Sequence, residues 1–258
     1  MNILDEIVEK TKTRTEDLKN NKNLKELALS LKSSNFSFKK ALETDGGIKI
    51  IAEIKKTSPS KGLICPNFNP SLIAREYKNA NADCISVLTE PYFFSGDNSY
   101  IETVKKASNK PVLRKDFIID ELQIYETKLT GADCVLLICA VLDKEKLQKF
   151  IQIADSLSLS VLVEAHNEDE IKNAIEAGAD IIGVNNRNLK TFEIDFNNSL
   201  KLRKFVPDNI LFVSESGIKT REDMVKLENA GVNAVLIGET FMKSKDKAAE
   251  IKKLRGQI

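Results

Sequence analysis

The sequence predicts an α/β protein folded as a single (β/α)8 TIM barrel with an N-terminal helical extension. Eight short apolar runs alternate with amphipathic segments from residue 48 onward, and a helix-ending motif recurs between them. The length of 258 residues suits one large α/β domain or two small ones. We therefore expect one domain over residues 1–258, with the extension at 1–47 and the barrel at 48–258.

The composition is that of a globular protein without a dominant charge. Hydrophobic residues make up 42% of the chain and charged residues 30%, which predicts a sizeable core beneath a solvated surface. The 39 basic and 38 acidic side chains leave a net charge of +1. No overall field therefore favours nucleic acid or a membrane as a partner.

The cysteines and the N-terminus predict a cytoplasmic protein. Four cysteines occur without a C-x-x-C pair, and Cys84 and Cys134 each follow an aspartate in an apolar run, which is typical of buried free thiols in a reducing compartment. Asp5 and Glu6 stand where a signal peptide needs basic residues. No apolar run approaches the length of a membrane span.

The extension is predicted to contain two helices, over residues 2–12 and 15–32. Apolar residues recur at helical spacing in both, as at Leu4 and Ile7 and again at Leu24 and Leu31. Neither helix directly precedes a strand-like run, so we expect both to lie against the main domain.

The eight predicted strands are short, rich in β-branched residues and almost continuously apolar, as parallel strands covered on both faces should be. They lie at 48–54, 84–88, 111–113, 134–140, 160–163, 181–184, 210–213 and 234–237.

The segments between the strands begin with helix-capping residues. Asn69 precedes Pro70, Asp120 precedes an amphipathic segment, and Asn167 and Thr220 each have an acidic residue three positions later.

The helices are predicted to end at a repeated motif. It reads Gly-Ala-Asp at 131–133 and 178–180, Gly-Val-Asn at 231–233 and Asn-Ala-Asp at 81–83, at intervals of about 50 residues. Each interval covers two strand–helix units, which favours the barrel. An open doubly wound sheet is the alternative, and the absence of G-x-G-x-x-G after the first strand argues against it.

The first strand ends in an unusual pair of charges. Glu53 and Lys55 are two residues apart, so both side chains point to the same face of the strand. Buried charges need compensation. A structural ion pair and part of a functional site explain this pattern equally well.

Polar residues also follow the other strands, and in a TIM barrel these carboxyl ends surround the active site. They include Thr89-Glu90, Arg114-Lys115-Asp116, Glu164 with His166, Asn185 to Asn188, Ser214 to Gly217, and Gly238 to Thr240. A structural ion-pair network could explain two or three of these ends, but so many together favour a site.

The last two strand ends predict a phosphate site. Ser216, Gly217 and Gly238 are small residues in the loops where backbone N–H groups bind phosphate in many barrels. The carboxylate of Glu239 has to point away from a bound dianion, so only its backbone N–H should contribute. Glycine as a simple turn residue is the alternative.

Taken together, these motifs resemble the indole-3-glycerol-phosphate synthase family of tryptophan biosynthesis. The resemblance extends from about residue 48 to 242, and the N-terminal helices are also similar. It rests on residues 51–62 (IAEIKKTSPSKG), 86–90 (SVLTE), 113–117 (LRKDF), 163–164 (VE), 182–189 (IGVNNRNL), 213–218 (VSESGI) and 236–238 (LIG).

The resemblance implies a lyase that needs no cofactor, no metal and no obligate protein partner. Its small-molecule substrate is 1-(2-carboxyphenylamino)-1-deoxyribulose 5-phosphate, which closes to indole-3-glycerol phosphate with release of carbon dioxide and water. Lys115 is implied as the general acid that protonates the ketone oxygen. Lys55 pairs with anionic groups of the substrate or shares the acid role, while Glu53 and Glu164 act as base and as electrostatic partners in dehydration.

The remaining roles also follow from the resemblance. Asn185 and Arg187 orient the substrate with Glu215 nearby, and Ser58 assists on its anionic side. Two aromatic residues, Phe94 and Phe117, either wall the aromatic ring or simply pack in the core. Ser216, Gly217 and Gly238 hold the phosphate.

The sequence contains a single histidine and leaves two alternative functions open. His166 lacks a Cys/His cluster and is expected at the surface or at a helix cap. Within enzymes, the rival is phosphoribosylanthranilate isomerase, another phosphosugar barrel. From another class, the rival is an inactive barrel kept as a binding or scaffold subunit, against which the intact charged rim argues.

Overall fold

Eight parallel strands close into a barrel in the computed structural model, which describes residues 2–188 and 191–257. Each strand pairs with its chain neighbours, and the last strand pairs with the first. The strands are β1 (Lys49–Ile54), β2 (Cys84–Leu88), β3 (Val112–Lys115), β4 (Cys134–Ile138), β5 (Ser160–Ala165), β6 (Ile181–Asn185), β7 (Leu211–Glu215) and β8 (Ala234–Ile237). The predicted TIM barrel is confirmed. Leu189, which closes one of the family motifs, and the terminal residues Met1 and Ile258 lie outside the described residues.

Four strands extend further at their carboxyl ends than the apolar runs predicted. β3, β5, β6 and β7 include Lys115, Glu164, Asn185 and Glu215, respectively. An apolarity criterion stops at the first charged side chain, whereas the backbone ladder continues because these side chains find partners inside the barrel. In contrast, β4 ends at Ile138, two residues before its predicted end.

The helices on the outside of the barrel follow the predicted alternation. They are α1 (Ile3–Lys19), α2 (Leu24–Ser30), α3 (Ser37–Glu43), α4 (Pro70–Asn79), α5 (Ser99–Ser108), α6 (Leu122–Leu129), α7 (Lys144–Ser156), α8 (Glu168–Glu176), α9 (Asn197–Leu202), α10 (Arg221–Asn229), α11 (Glu239–Lys243) and α12 (Lys247–Leu254). Within the described ranges, no helix is both long enough and apolar enough to cross a membrane.

The N-terminal boundaries differ from the prediction. α1 continues to Lys19 instead of ending at residue 12, because the hydroxyls of Thr11 and Thr15 donate to carbonyls of their own helix and can therefore be buried. α2 is a separate, shorter helix, and α3 was not predicted.

The extension contacts both ends of the barrel. α1 lies at the carboxyl ends of the strands, where Arg14 pairs with Asp116. α2 packs against α6 on the side. α3 covers the opposite end, where Ser37 donates to Asp133 and the Lys39 backbone N–H donates to Ser160.

The predicted helix stops are confirmed. Asn81, Gly131, Gly178 and Gly231 have φ values of 59°, 82°, 90° and 75°, the left-handed conformation that ends a helix. The motif also anchors strands.

In three copies of the motif the final side chain accepts a backbone N–H from a neighbouring strand. Asp83 accepts from Ile50, Asp133 accepts from Val112, and Asn233 accepts from Phe212. The motif therefore fixes where these strands begin.

The predicted caps are also present. Asn69, Asn167 and Thr220 each cap a helix with the side chain, and Pro70 occupies the first turn of α4. Asp120 accepts the N–H of Leu122 one residue outside the cap position.

Alternation along the strands divides the core into two parts. Residues such as Ile50 and Ala52 pack under the helices, whereas Ile51 and its counterparts fill the barrel interior. The interior residues include Leu113, Leu136, Leu162, Val213 and Leu236. Above this apolar filling, at the carboxyl ends of the strands, the interior becomes charged.

Candidate active site

A cavity of about 500 Å³ opens at the carboxyl ends of the strands. Every site residue predicted from the sequence lines it: Glu53, Lys55, Ser58, Phe94, Lys115, Phe117, Glu164, Asn185, Arg187, Glu215, Ser216, Gly217, Gly238 and Glu239. Residues as far apart in the chain as Glu53 and Glu239 therefore share one cavity. The polar residues Asp116, Lys219 and Lys243 also line it and were not assigned to the site from the sequence.

The floor of the cavity is a charged layer built from four alternate strands. β1, β3, β5 and β7 contribute Glu53, Lys115, Glu164 and Glu215, the pattern by which TIM barrels assemble one interior layer. Lys115 Nζ lies 2.9 Å from Glu164 Oε2 and 3.3 Å from Glu215 Oε2. Both glutamate side chains are only 2% exposed, so these contacts form in a weakly screened environment.

Lys115 is held firmly in its charged form. Burial opposes its charge, but the carboxylates of Glu164, Glu215 and Glu53 outweigh burial and raise the pKa of Lys115.

The two glutamates beside Lys115 differ in protonation. Burial favours the neutral form of Glu164, yet Lys115 and His166 overcome it and lower its pKa. For Glu215, burial is the largest effect, and together with the nearby Glu164 and Glu53 it raises the pKa to about 7 despite Lys115. The layer therefore offers a carboxylate, Glu164, and a group that can hold or release a proton near neutral pH, Glu215, which suits general acid–base chemistry.

The first-strand pair forms an ion pair and also lines the cavity. Lys55 Nζ lies 2.5 Å from Glu53 Oε1, and both side chains face the interior as their spacing predicts. The two explanations of this pattern are thus compatible.

Two glycines make room for the carboxylates. A Cβ at Gly238 would lie 2.2 Å from Glu53 Oε1, and a Cβ at Gly183 would lie 2.3 Å from Glu215 Oε1. Gly238 was predicted from the sequence only as a phosphate-loop residue, and Gly183 was not predicted to belong to the site. A lone glycine inside an apolar strand marks a close approach, and this signal could have identified Gly183.

The end of the cavity near β7 and β8 carries small residues and cations. Ser216 and Gly217 have φ values of 69° and 85°, a left-handed turn directly after β7. Glu239 begins α11, and its carboxylate contacts Lys243 at 2.6 Å and Arg187 at 3.6 Å.

Phe94 and Phe117 form an aromatic pair on the cavity wall, with ring centroids 6.2 Å apart. Glu90, one of the polar residues at the predicted strand ends, does not line the cavity. Its carboxylate accepts the backbone N–H groups of Tyr92, Phe93 and Phe94 and so shapes the loop that carries the aromatic wall.

Asp116 joins the site to the N-terminal helix. Arg14 donates to both Asp116 oxygens, at 3.1 and 2.7 Å, and Thr89 donates to one of them. Arg114, fully buried under the helices, also reaches Asp116. Burial favours the neutral acid, but Arg114 and Arg14 prevail and lower the pKa of Asp116.

The sixth strand end contributes Asn185 and Arg187 on alternate positions. Asn185 Oδ1 accepts the backbone N–H of Arg187, and Arg187 donates to the carbonyl of Phe192. Asn186, between them, points away from the cavity and bonds to Ser199 instead.

His166 is not a surface residue, contrary to one of the two expectations. Its side chain is 17% exposed, with Nε2 3.5 Å from Glu164 Oε1 and Nδ1 3.1 Å from Glu170 Oε2. The helix-cap expectation is confirmed, since its backbone N–H donates to Glu170 in the first turn of α8. Burial lowers the pKa of His166, but the hydrogen bond to Glu170 and the charge of Glu164 raise it overall.

The acidic side chains of the cavity are not arranged as a metal site. Within residues 2–188 and 191–257, no group of three or more His, Cys, Asp or Glu side chains is placed to hold a metal ion.

The fold and the site together define a TIM-barrel enzyme with a lysine set between carboxylates at the barrel mouth. Comparison with known proteins gives the family. The indole-3-glycerol phosphate synthase family model matches residues 4–254. The indole-3-glycerol phosphate synthase of Ruminiclostridium cellulolyticum is 56% identical over 258 residues, covering 98% of this chain and 99% of that protein. The synthase of Endomicrobium trichonymphae is 54% identical over 257 residues, covering 98% of this chain and 99% of that protein. The chain belongs to the indole-3-glycerol phosphate synthase family.

Solved structures of lower identity support the fold alone. The 3-hexulose-6-phosphate synthase of Salmonella typhimurium superposes with a TM-score of 0.67 at 18% identity, covering 81% of this chain and 97% of that one.

Proposed function

We propose that the protein closes the ring of 1-(2-carboxyphenylamino)-1-deoxyribulose 5-phosphate to form indole-3-glycerol phosphate, with release of carbon dioxide and water. The observation that carries this proposal is the ammonium of Lys115 between Glu164 and Glu215 in one cavity with the predicted phosphate loops. Membership of the family supports the same reaction.

Lys115 acts as the general acid in the first step. The arene carbon that bears the carboxylate attacks the ketone carbon, and the ketone oxygen takes a proton from Lys115 Nζ and becomes a hydroxyl. The positive charge that develops on the ring and its nitrogen is stabilised by Glu53 and Glu164. The carbon–carbon bond to the carboxylate then breaks, and its electron pair restores the aromatic ring as carbon dioxide leaves.

Dehydration needs an acid and a base in the same cavity. The reprotonated Lys115 gives a proton to the hydroxyl, and the carbon–oxygen bond breaks as water leaves. A carboxylate removes a proton from the carbon next to the nitrogen, and the electron pair of that bond forms the new ring double bond. Glu164 is suited to the base because its neighbours favour the ionised form. Glu215 is suited to holding a proton because its pKa lies at about 7.

Lys55 and the β6 residues bind the anionic and polar parts of the substrate. Lys55 pairs with Glu53 when the site is free, and it is positioned to contact a substrate anion or to share the acid role. Asn185 and Arg187 orient the sugar chain, and Ser58 assists on the anionic side.

The substrate's phosphate binds at the β7 and β8 loops. Ser216, Gly217, Gly238 and the backbone N–H of Glu239 provide the hydrogen-bond donors. Lys243 and Lys219 line the same cavity and add positive charge. The aromatic pair of Phe94 and Phe117 walls the substrate's benzene ring.

The reaction uses the chain's own side chains without a cofactor. We place it in the cytoplasm and assign it no nucleic-acid or obligate protein partner.

Incubating the purified protein with the carboxyphenylamino-deoxyribulose phosphate and following indole fluorescence tests the function. Indole-3-glycerol phosphate should form, and the dephosphorylated substrate should react poorly because the phosphate loops are left empty. Conversion of phosphoribosylanthranilate would instead support the isomerase. Failure to convert either substrate, in a folded protein, would support the inactive barrel.

A further inference from the structure

The two carboxylates beside Lys115 have unequal surroundings. Glu164 faces Lys115 from β3, Asn185 from β6 and His166 from its own strand end, and its charge also interacts with that of Glu215. Glu215 shares Lys115 but leaves its other oxygen, Oε1, buried without a hydrogen-bond partner. Both carboxylate oxygens of Glu164 therefore have a nitrogen neighbour, whereas only one oxygen of Glu215 has one.

His166 lies between two acceptors. Nδ1 is 3.1 Å from Glu170 Oε2 on α8, and Nε2 is 3.5 Å from Glu164 Oε1. A carboxylate can only accept, so both contacts are attractive only if both ring nitrogens carry a proton, and the imidazolium alone has two. The Nε2 atom is buried without another hydrogen-bond partner, so a lone pair there would face Glu164 uncompensated.

The other groups around the ring do not oppose this protonation. Glu215, on β7, adds a further carboxylate field to the ring whenever it is ionised. Asn198, on α9, is neutral and donates to the His166 backbone carbonyl. Cys139, after β4, packs against the Glu170 backbone, and burial raises the pKa of its thiol to about 12, so it adds no charge near neutral pH.

We propose that His166 is a positioning residue that, as an imidazolium, holds Glu164 as a carboxylate and leaves the shared proton of the charged layer on Glu215. The proposal rests on the proposed function. It assigns Glu164 to the base and Glu215 to the proton store.

This assignment matches the proton balance of the reaction. With the substrate's carboxyl ionised, release of carbon dioxide and water consumes one proton in each turnover. After Lys115 has given a proton to the ketone oxygen, the O–H bond of Glu215 breaks and a new N–H bond forms on Lys115, across a contact of 3.3 Å. A protonated Glu164 could not take the carbon-bound proton in the later step, so the proton must reside on Glu215.

The first test is a nuclear magnetic resonance titration and does not depend on activity. The chain contains one histidine, so a single imidazole signal reports His166. We expect a pKa above 6.5 in the parent and a fall of roughly one pH unit in both Glu164→Gln and Glu170→Gln. An imidazole that titrates identically in the parent and in Glu164→Gln would overturn the proposal.

The second test is the pH profile of ring closure by His166→Gln and His166→Phe. Loss of the cation raises the pKa of Glu164, so the acidic limb of kcat should move to higher pH by roughly one unit, with KM nearly unchanged. The matched control is Lys144→Gln, which removes an exposed cation that pairs with Glu176 across α7 and α8. Its pH profile should be the same as that of the parent.

The outcomes separate the two proposals. An active parent with coincident acidic limbs in the His166 variants overturns the role of His166 alone. If the parent protein forms no product, the proposed function is overturned. The nuclear magnetic resonance titration then still shows whether His166 forms an ion pair with Glu164. If His166→Phe fails to fold, His166→Gln retains the polar contacts and carries the test.

Discussion

At the residue scale, the site depends on how a few buried charges share protons. Lys115 stabilises two glutamates at once, and the surroundings of each glutamate set its charge. Much of this could be anticipated, because charged residues that end a buried strand need partners. The sequence could not show which glutamate keeps a proton, since that depends on contacts between residues far apart in the chain.

Glu215 makes the stability of the protein depend on pH. Its pKa of about 7 in the folded state exceeds its ordinary value of 4.5, so its favourable contribution is present below pH 4.5 and is lost as the pH rises through 7. Glu215→Gln has no ionisable group at this position, so its stability should not fall with the ionisation of residue 215. Relative to the parent, the variant should gain up to about 3 kcal/mol between pH 5 and pH 8 in urea unfolding.

The exposed Glu26→Gln variant is the control and should follow the parent across the same range. A Glu215→Gln variant whose advantage does not change with pH would contradict the raised pKa.

The two glycines of the charged layer should not tolerate a methyl group. In Gly183→Ala the new Cβ would fall 2.3 Å from Glu215 Oε1, so the carboxylate must move away from Lys115. We expect about a 100-fold loss of kcat and a cost of about 2 kcal/mol in the free energy of unfolding.

Gly131→Asn is the matched control. Gly131 has a left-handed conformation and an open surrounding, and Asn81 already fills the equivalent place in the repeat. Its kcat should equal that of the parent, and a fully active Gly183→Ala would show that Glu215 is not constrained as described.

At the element scale, the most consequential surprise is the N-terminal extension. Its helical periodicity was readable, but the boundaries were wrong and α3 was missed. The reason is physical: α1 buries two threonines through bonds to its own carbonyls, and α3 is held by contacts to strand starts more than 90 residues away. Local patterns carry no information about such partners.

Arg14 links this extension to the cavity at the barrel mouth, through Asp116. Arg14→Ala leaves Asp116 with Arg114 as its remaining cation, so we expect a cost of about 2 kcal/mol in the free energy of unfolding. Because Asp116 follows Lys115 and precedes Phe117, kcat should also fall.

On the same helix, Lys12 pairs with Glu9 at the surface, and Lys12→Ala should change stability by less than about 0.5 kcal/mol. Equal stabilities for the two variants would show that the extension is not anchored through Arg14.

At the scale of the whole molecule, barrel closure creates the site. The strand-end residues span positions 53 to 239, and each was identified because the carboxyl ends of parallel strands meet at one rim. The strand pattern could not predict groups that other elements supply, such as Arg14. It also could not predict residues without a strong local signal, such as Lys219 and Gly183. His166 was expected at the surface or at a helix cap, and its contact with Glu164 was not foreseen, since its two carboxylate partners become its neighbours only when β5 leads into α8.

The central claim is that Lys115, held charged between two glutamates, donates the proton that starts ring closure. The most direct measurement is the rate of indole formation from the carboxyphenylamino-deoxyribulose phosphate by the parent and by Lys115→Ala. The parent should turn over, and the folded variant should be slower by about 100-fold to 10,000-fold in kcat. A folded Lys115→Ala within a few-fold of the parent would contradict the account.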